Sequence, residues 1–279
     1  MKLSITTNIT NPILRGDNYL EAIENYSKLA DEVIVVDGGS TDGSLDEIEK
    51  LGLDNVKVVY YEWKHNWEWE QIPKSMNFGM EQCTGDWVIK MDIDRFFSEK
   101  YFDEIRSKLE DSEKPVVSFM CYNFPLYNHY FCKGWRASGI NKKKFGDQYK
   151  LGKATNEFLS LSHPVKVEDI KNGIYQGLYD TAEHLKIGVP MFNYDGTFKT
   201  REHVKYFWYR YWKAYNKYYK TGKTLKKGDE IKHWKKFHEA EIGRTHIYKG
   251  EHPESLNKLI AGINPAQFGF DGWKNNELE

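Results

Sequence analysis

Residues 33–43 read Val33-Ile34-Val35-Val36-Asp37-Gly38-Gly39-Ser40-Thr41-Asp42-Gly43. The run of β-branched residues has no polar alternation, which predicts a parallel strand that is covered on both faces. The glycines and short polar residues that follow predict a turn, with a helix beginning near Ser44. The strand therefore closes on an acidic residue, Asp37.

Short apolar runs alternate with helical patterns on both sides of this stretch. The predicted strands are 3–7, 32–37, 56–61, 87–91 and 116–122, and the other predicted helices are 19–30, 73–82 and 98–109. This β-α-β-α order predicts an α/β fold with a doubly wound, mostly parallel sheet of Rossmann-like type. Ligands of such sheets bind beyond the carboxyl ends of the strands.

Composition limits the class of protein. With 279 residues, 29% charged residues and a mean hydropathy of -0.72, the chain is expected to be a soluble globular protein. No apolar run approaches the ~20 residues of a transmembrane helix, and no signal-peptide pattern follows Met1, so we expect a cytoplasmic location. The three cysteines show neither CxxC nor zinc spacing, which argues against a disulfide scaffold and a structural zinc site.

The net charge of -1 conceals a basic segment, because residues 199–249 carry 15 Lys and Arg against 5 Asp and Glu. A long helix is predicted at 201–220. Its apolar stripe comprises Val204, Phe207, Trp208, Tyr211, Tyr215 and Tyr218. One interpretation is that the stripe packs against the sheet domain with its lysines outside. The other is that Lys205, Lys213, Lys217 and Lys220 contact a membrane surface or a phosphorylated acceptor.

Two carboxylates, Asp92 and Asp94, directly follow the apolar strand at 87–91. Hard oxygen ligands of this type suit Mg²⁺ or Mn²⁺, which bind substrate phosphates together with one or two protein carboxylates. The pattern therefore indicates a metal-diphosphate site. Taken alone, the tripeptide is more typical of a solvated turn.

The turn after residue 37 allows a second binding interpretation. The carboxylates of Asp37 and Asp42 can accept hydrogen bonds from a ribose diol or a base N–H, and glycines such as Gly39 let backbone approach a ligand. The stretch fits neither GxGxxG nor the Walker pattern, which disfavours dinucleotide or P-loop chemistry. A turn with helix caps is the structural alternative. The aromatic cluster at 63–70 follows the third strand, and its tryptophans would stack on a sugar or base if exposed, or pack if buried.

Three motifs in order resemble family 2 glycosyltransferases of the GT-A fold: V-V-D-G-G-S-T-D-G-S from residue 35, K-S-M-N-F-G-M-E-Q-C-T-G-D-W-V from residue 74, and M-D-I-D from residue 91. The resemblance covers residues 1 to about 123, and its pattern is nearest to lipopolysaccharide-core members. It implies inversion at the anomeric carbon of a nucleotide-sugar. Two departures are Arg95, where a third acid is common, and Asn8-Ile9-Thr10-Asn11, where a glutamate is usual.

The resemblance also implies roles for single residues. Thr7, Asp37 and Asp42 would hold the nucleoside, Lys74 and Asn77 would lie along the diphosphate, and Asp92 and Asp94 would hold the ribose and the metal. Glu157 is the first candidate for the catalytic base, because Thr155-Asn156-Glu157-Phe158-Leu159 is similar to a V-H-E-x-L segment of those members. The pair Glu168-Asp169 is the second. Asn193 stands where relatives often have a metal-binding His, so a water or a histidine such as His203 would take that place.

The sequence therefore predicts a metal-dependent, inverting hexosyltransferase that uses Mn²⁺ or Mg²⁺ and a nucleotide-diphosphate sugar, most readily a UDP-sugar. The acceptor would be a hydroxyl of a glycan or lipid-linked glycan, with peripheral membrane contact and no nucleic-acid partner. We expect a nucleotide-sugar-binding half at 1–123, an acceptor-binding half at 124–198 and a helical, aromatic-rich extension at 199–279. The alternatives are a sugar-nucleotide nucleotidyltransferase and an inactive binding protein for an anionic polymer or nucleic acid.

Overall fold

The computed structural model describes residues 1–63, 71–151, 164–168, 184–219 and 221–263. Strands and helices alternate through the first half, as the apolar pattern predicts. The strands are β1 (Leu3–Ile9), β2 (Glu32–Asp37), β3 (Val56–Tyr60), β4 (Trp87–Lys90), β5 (Arg95–Phe97), β6 (Val116–Leu126), β7 (His129–Asn141), β8 (Tyr149–Leu151), β9 (Pro164–Lys166), β10 (His184–Asn193) and β11 (His246–Ile247). The helices are α1 (Pro12–Arg15), α2 (Tyr19–Leu29), α3 (Ser44–Lys50), α4 (Gln71–Gln82), α5 (Phe102–Glu110), α6 (Lys142–Phe145), α7 (Arg201–Tyr219), α8 (Glu230–Ile242) and α9 (Asn257–Gly262).

One mixed sheet organises the molecule. In the described residues its strand order is β3-β2-β1-β4-β7-β6-β10-β5, with β11 beside β7, and β8 and β9 form a separate pair. β1 to β4, β6 and β10 all run in the same direction, whereas β5 and β7 run against them. The mostly parallel α/β architecture confirms the expected fold class, and it brings the carboxyl ends of six strands to one edge.

β2 shows why a continuous apolar run forms a central strand. Val33 and Val35 are buried in the main core, on the face that also receives α2 and α5. Ile34 and Val36 are buried in a second cluster with Cys83, beside α4. Successive side chains of a strand point to opposite faces, so both faces of this strand need apolar residues.

The sequence patterns did not predict β5, β7 or β10. β7 lies antiparallel between β4 and β6, and its pairing with β6 contains register shifts next to Ser118, Tyr122 and Leu126. Such irregularities break the alternation of polar and apolar residues on which a strand prediction depends. One sheet therefore joins the expected donor and acceptor halves, and position 123 falls inside β6; the three-part division stays a prediction.

The aromatic stripe of α7 packs inwards. Val204, Phe207 and Trp208 are buried in a cluster with Trp234 of α8. The outward side of the helix carries exposed lysines at 205, 213 and 217. This agrees with the packing interpretation, although the main partner of the stripe is α8 and not the sheet. Tyr218 and Lys220 lie outside the residues whose side chains are described. Among the described helices, none combines the length and apolarity needed to cross a bilayer.

Gly79 of α4 provides a test of this packing. A Cβ at this position would lie 2.2 Å from Thr6 Oγ1 of β1 and 2.7 Å from Val36 Cγ2 of β2. We expect Gly79→Ala to lower the free energy of unfolding by about 1–3 kcal/mol, because the buried strands cannot move aside. Urea denaturation measures the change.

Gly262→Ala is the matched control, since that helical glycine has open space around its Cβ position. The control should be neutral or slightly stabilising, because alanine favours the helix. Equal stability of the Gly79→Ala protein and the wild type would contradict the close contact between α4 and the sheet.

Candidate functional site

The loop between β4 and β5 carries the paired carboxylates, and α2 holds it in place. The buried Tyr26 hydroxyl donates to the backbone carbonyl oxygens of Asp92 and Arg95, each at 2.7 Å. The side chain of Asn25 hydrogen-bonds both backbone groups of Phe97. Hydrogen bonds from α2 therefore fix the backbone of this loop. The carboxylates of the loop lie at the carboxyl edge of the sheet.

Asp92 is held between two cations. Lys90 Nζ lies 2.8 Å from its Oδ1, and Arg95 Nη2 lies 2.5 Å from its Oδ2. Lys90 is only 2% exposed, and burial lowers its pKa in spite of the nearby carboxylate. A buried ammonium needs such a partner to remain charged. Both oxygens of Asp92 are thus engaged by this chain's own cations.

Asp94 has a different environment. Its Oδ1 is buried with no hydrogen-bond partner among the described residues. Burial, together with the charges of Asp195 and Asp92, raises the pKa of Asp94 to about 7 against the opposing effect of Arg95. The backbone hydrogen bond from Tyr194 N to Asp94 O, at 2.9 Å, ties the end of β10 to this loop. Asp94 therefore presents a buried carboxylate oxygen that accepts no hydrogen bond from the described residues.

A buried ion cluster supports the same edge from the side of α1. Asp17 Oδ2 accepts from Arg15 Nε at 2.7 Å, and its Oδ1 accepts from Lys199 Nζ at 2.6 Å. Burial alone would raise the pKa of Asp17, but the charges of Arg15 and Lys199 and their hydrogen bonds lower it to about 2. The cluster joins α1 to the segment that leads into α7.

A cavity of about 560 Å³ opens above the carboxyl ends of the strands. Its volume lies in the range of small-molecule sites. Polar side chains on its wall include Asn8, Arg15, Asp92, Asp94, Asn123 and Asp195. Trp63, Ile72 and Met76 add an apolar wall on one side. The cavity therefore combines an acidic centre with cationic and apolar surroundings.

Three of the expected nucleoside residues lie at the same edge but outside this wall. Asp37 is buried, and its carboxylate accepts from the backbone N–H groups of Gly39 and Ser40 at 3.0 Å. Asp42 accepts from the backbone N–H groups of Ile13 and Leu14 at the start of α1. Within the described residues, neither carboxylate nor Gly39 lines the cavity. Their part in nucleoside binding stays a prediction.

The remaining expected residues are more dispersed. Thr7 is buried in β1, Lys74 is exposed on α4, and Asn77 is half-buried on the same helix. In the part of the chain that the structure covers, none of the three contributes to the cavity wall. Glu157 and Asp169 lie outside the described residues, so both assignments of the base stay predictions.

Two residues considered for the missing metal ligand have structural contacts. Asn193 is buried, donates to Asn123 Oδ1 at 3.0 Å and accepts from Asp195 N at 3.2 Å. His203 Nδ1 accepts from Thr200 N at 3.1 Å, and its ring lies where a Cβ on Gly16 would sit. Asp195, two residues beyond Asn193, instead reaches the cavity.

The donor set fits a divalent cation that is shared with a substrate. Among the described residues, no group of three His, Cys, Asp or Glu side chains forms a complete cation site. Mg²⁺ and Mn²⁺ need fewer protein ligands when phosphates and waters supply the rest. The partnerless oxygen of Asp94, beside Asp195, is a hard ligand of this kind, whereas Asp92 is already neutralised.

Sequence patterns missed the residues that come from distant segments. Asp17, Asp195 and Lys199 reach the site from loops and Arg15 from the end of α1, and no local motif marks them. Lys90 carried a usable signal, since a lysine inside an apolar strand predicts a nearby carboxylate.

Comparison with known families identifies the family of this chain. The sequence profile described as "Glycosyl transferase family 2" matches residues 17–159, just over half of the chain. The chain belongs to glycosyl transferase family 2. This membership confirms the family and the enzyme class expected from the three motifs, while the likeness to lipopolysaccharide-core members stays a prediction.

Curated glycosyltransferases that match part of this family 2 chain include proteins from Rickettsia. An uncharacterized glycosyltransferase of Rickettsia conorii is 33% identical over 108 residues, which cover 38% of this chain and 35% of that protein. One from Rickettsia bellii is 36% identical over 84 residues, covering 30% and 26%. The chain thus spans only 26% to 35% of the length of these relatives.

Solved structures similar to this family 2 chain include a mannosyltransferase and TarS. A mannosyltransferase from Pyrobaculum calidifontis, in complex with GDP-Man and Mn²⁺, gives a TM-score of 0.46 at 14% identity over 95% of this chain and 80% of that one. S. aureus TarS 1-349 gives 0.38 at 23% identity over 44% and 36%.

The buried cluster around Asp17 predicts a pH-dependent stability. Asp17→Asn should lower the free energy of unfolding by about 3–5 kcal/mol near pH 7, because the buried Lys199 and the half-buried Arg15 lose their partner. The pKa of Asp17 is about 2 in the folded state against a usual 3.8. The ionised carboxylate therefore stabilises the fold fully at pH values above 3.8, the pKa of an ordinary aspartate. About 2 kcal/mol of this stabilisation is lost as the pH falls towards 2.

Urea denaturation at a series of pH values measures this. The stability difference between wild type and Asp17→Asn should narrow as the pH drops below 4, while the exposed-site control Asp54→Asn tracks the wild type throughout. A difference that stays constant with pH would show that Asp17 is not held as an anion by Arg15 and Lys199.

Proposed function

We propose that this family 2 protein transfers a hexose from a nucleotide-diphosphate sugar to an acceptor hydroxyl, with the help of Mn²⁺ or Mg²⁺. The observation that carries the proposal is the partnerless carboxylate oxygen of Asp94 beside Asp195, in a cavity at the carboxyl edge of the sheet. A diphosphate with its cation is the ligand that satisfies both the excess negative charge and the cationic groups around it.

Asp94, together with Asp195, would hold the cation in this proposal. Asp92 is the weaker candidate, because Lys90 and Arg95 already occupy its two oxygens. The ion pairs instead keep Asp92 in one orientation, in which its carboxylate would accept a hydrogen bond from the ribose. A bound divalent cation neutralises the charge that develops on the diphosphate leaving oxygen.

Arg15 would contact the diphosphate as well. Its guanidinium lines the cavity and lies close enough to Asp94 and Asp195 for both charges to raise its pKa. Asp17 fixes one side of the guanidinium through Nε. The planar donor set of arginine suits phosphate oxygens, and a fixed side chain loses little entropy on binding.

The remaining step is proton removal from the acceptor. As the acceptor oxygen bonds to the anomeric carbon, the bond from that carbon to the diphosphate oxygen breaks, and a carboxylate takes the hydroxyl proton. Glu157 and Asp169 are the proposed bases. Attack from the side opposite the leaving group gives the inverted product.

The central test replaces one carboxylate oxygen of Asp94 with an amide nitrogen. We expect UDP with Mn²⁺ to raise the Tm of the wild type by about 5 °C at saturation, since tight binding to the folded state stabilises it. Asp94→Asn should lose this shift and lower transfer at least about a hundredfold, because an amide cannot replace an anionic ligand. Differential scanning fluorimetry and nucleotide-sugar turnover measure the two effects.

Asp54→Asn, an exposed acid distant in sequence from the site, should keep both the shift and the turnover. Full turnover by Asp94→Asn would overturn the proposal. Pyrophosphate release from a nucleoside triphosphate and a sugar phosphate would favour the nucleotidyltransferase alternative, and a shift with DNA but not with UDP would favour a binding protein. GDP in place of UDP identifies the base that the site accepts.

A further inference from the structure

A row of aromatic rings on α7 forms the part of the cavity wall that donor binding does not explain. Trp208, Tyr211, Trp212 and Tyr215 all line the cavity. Their planes are nearly parallel: Trp208 lies at 14° to Tyr211 and Trp212 at 8° to Tyr215, with ring centroids 5.3 and 5.2 Å apart. We call these four residues the aromatic row.

The aromatic row is held rigidly by α8. Trp208 Nε1 donates to His233 Nδ1 at 3.0 Å, and the ring of Trp212 lies 4.4 Å from the ring of His233. Trp208 is buried, whereas Tyr211, Trp212 and Tyr215 are half-buried. Rings that are fixed and still partly accessible lose little entropy when a ligand packs on them.

The row is continuous with the acidic centre. Gly196 follows Asp195 directly, and a Cβ on Gly196 would lie 2.7 Å from His238 Cε1 and 3.1 Å from Trp234 of α8. The helix that carries the row's supports thus packs against the residue next to Asp195. A molecule that lies along the row would reach the place where the donor's sugar is expected.

Polar groups accompany the rings. Glu241 of α8 lines the same cavity. Burial raises the pKa of Glu241, and the charge of Asp195 raises it further. Beside it, burial lowers the pKa of His238 to about 3, so its imidazole is neutral at physiological pH. Lys133 and Arg136 of β7 complete this side of the wall.

This combination favours a saccharide over an isoprenoid chain. A pyranose has C–H faces that pack on aromatic rings and hydroxyls around its edge that need hydrogen-bond partners. A hydrocarbon chain would cover the carboxylate of Glu241 without replacing its hydrogen bonds to water, which is unfavourable. The exposed lysines of α7 lie on the outer side of the helix and add nothing to the cavity.

We propose that the aromatic row is the acceptor subsite and that the acceptor is a saccharide, which packs on Trp212 and Tyr215 and donates hydroxyl hydrogen bonds to Glu241. This inference rests on the proposed transferase function, and it names both the location and the chemical class of the acceptor. The row thereby sets acceptor choice, while the strand ends hold the donor.

The test measures acceptor and donor binding separately. Wild-type protein with UDP and Mn²⁺ is applied to an immobilised panel of oligosaccharides of hexoses and N-acetylhexosamines, and affinity for any bound glycan is measured by calorimetry. Trp212→Ala and Tyr215→Ala should weaken that affinity about tenfold or more, and Trp212→Phe should retain most of it. The Tm shift with UDP and Mn²⁺ should be the same in all variants.

Tyr209→Ala is the matched control, because this tyrosine of α7 lies outside the cavity wall. Its glycan affinity should equal that of the wild type. The UDP shift also controls for folding, because it reports an intact donor site in both Trp212→Ala and Tyr215→Ala. A protein without any UDP shift would count against the proposed function itself and not against the row alone.

Four results would overturn the inference, and in all but the third the UDP shift of the wild type and the variants is intact. One is unchanged glycan affinity in both truncated variants, and another is the absence of glycan binding by the wild type. A smaller UDP shift in Trp212→Ala would assign the row to the donor's nucleoside. Binding of vesicles of phosphatidylcholine with undecaprenyl phosphate, lost in Trp212→Ala without any glycan binding, would assign it to a lipid chain.

Discussion

The site depends on a buried lysine that has to be neutralised. Lys90, the last residue of β4, is buried, and an ammonium in such a place can stay charged only beside an anion. Asp92 supplies that anion, and Arg95 closes on its other oxygen. The chain must therefore turn sharply after β4, and the carbonyl groups freed by the turn are bound by Tyr26. The position of Asp94 follows from this arrangement, because Asp92 and Arg95 flank it on a loop that cannot move.

Local sequence patterns were sufficient to predict the strands and helices in which apolar residues recur at regular spacing on one or both buried faces. The apolar run of β2 has to be central, and the helices beside it repeat at helical spacing, so their bounds agree with the prediction to within two residues for α2 and α4. The paired carboxylates were found because they directly follow an apolar strand and come in order after two other motifs. The carboxyl edge of a parallel sheet then predicts where they gather.

Other features depend on contacts between distant segments, which no short pattern encodes. Asp17 meets Lys199 across 182 positions of sequence, and Asp195 is tied to Asp94 only through the end of β10. Glycines of the second motif also have a packing reason that the sequence does not reveal: Gly79 and Gly85 both lie where a Cβ would collide with β1. A motif that resembles a binding signature thus contains residues that serve helix and strand contact.

β7 gives the sheet a further property. It is hydrogen-bonded to β4 on one side and β6 on the other, and a Cβ at its Gly139 would lie 2.9 Å from Val88 O and 2.8 Å from Val117 Cγ1. Because backbone hydrogen bonds join this strand to both neighbours, the two ends of the sheet cannot pivot about it without breaking those bonds. Any adjustment of the cavity to a bound molecule then falls to the loops and helices around it, while the sheet that forms its floor keeps its shape.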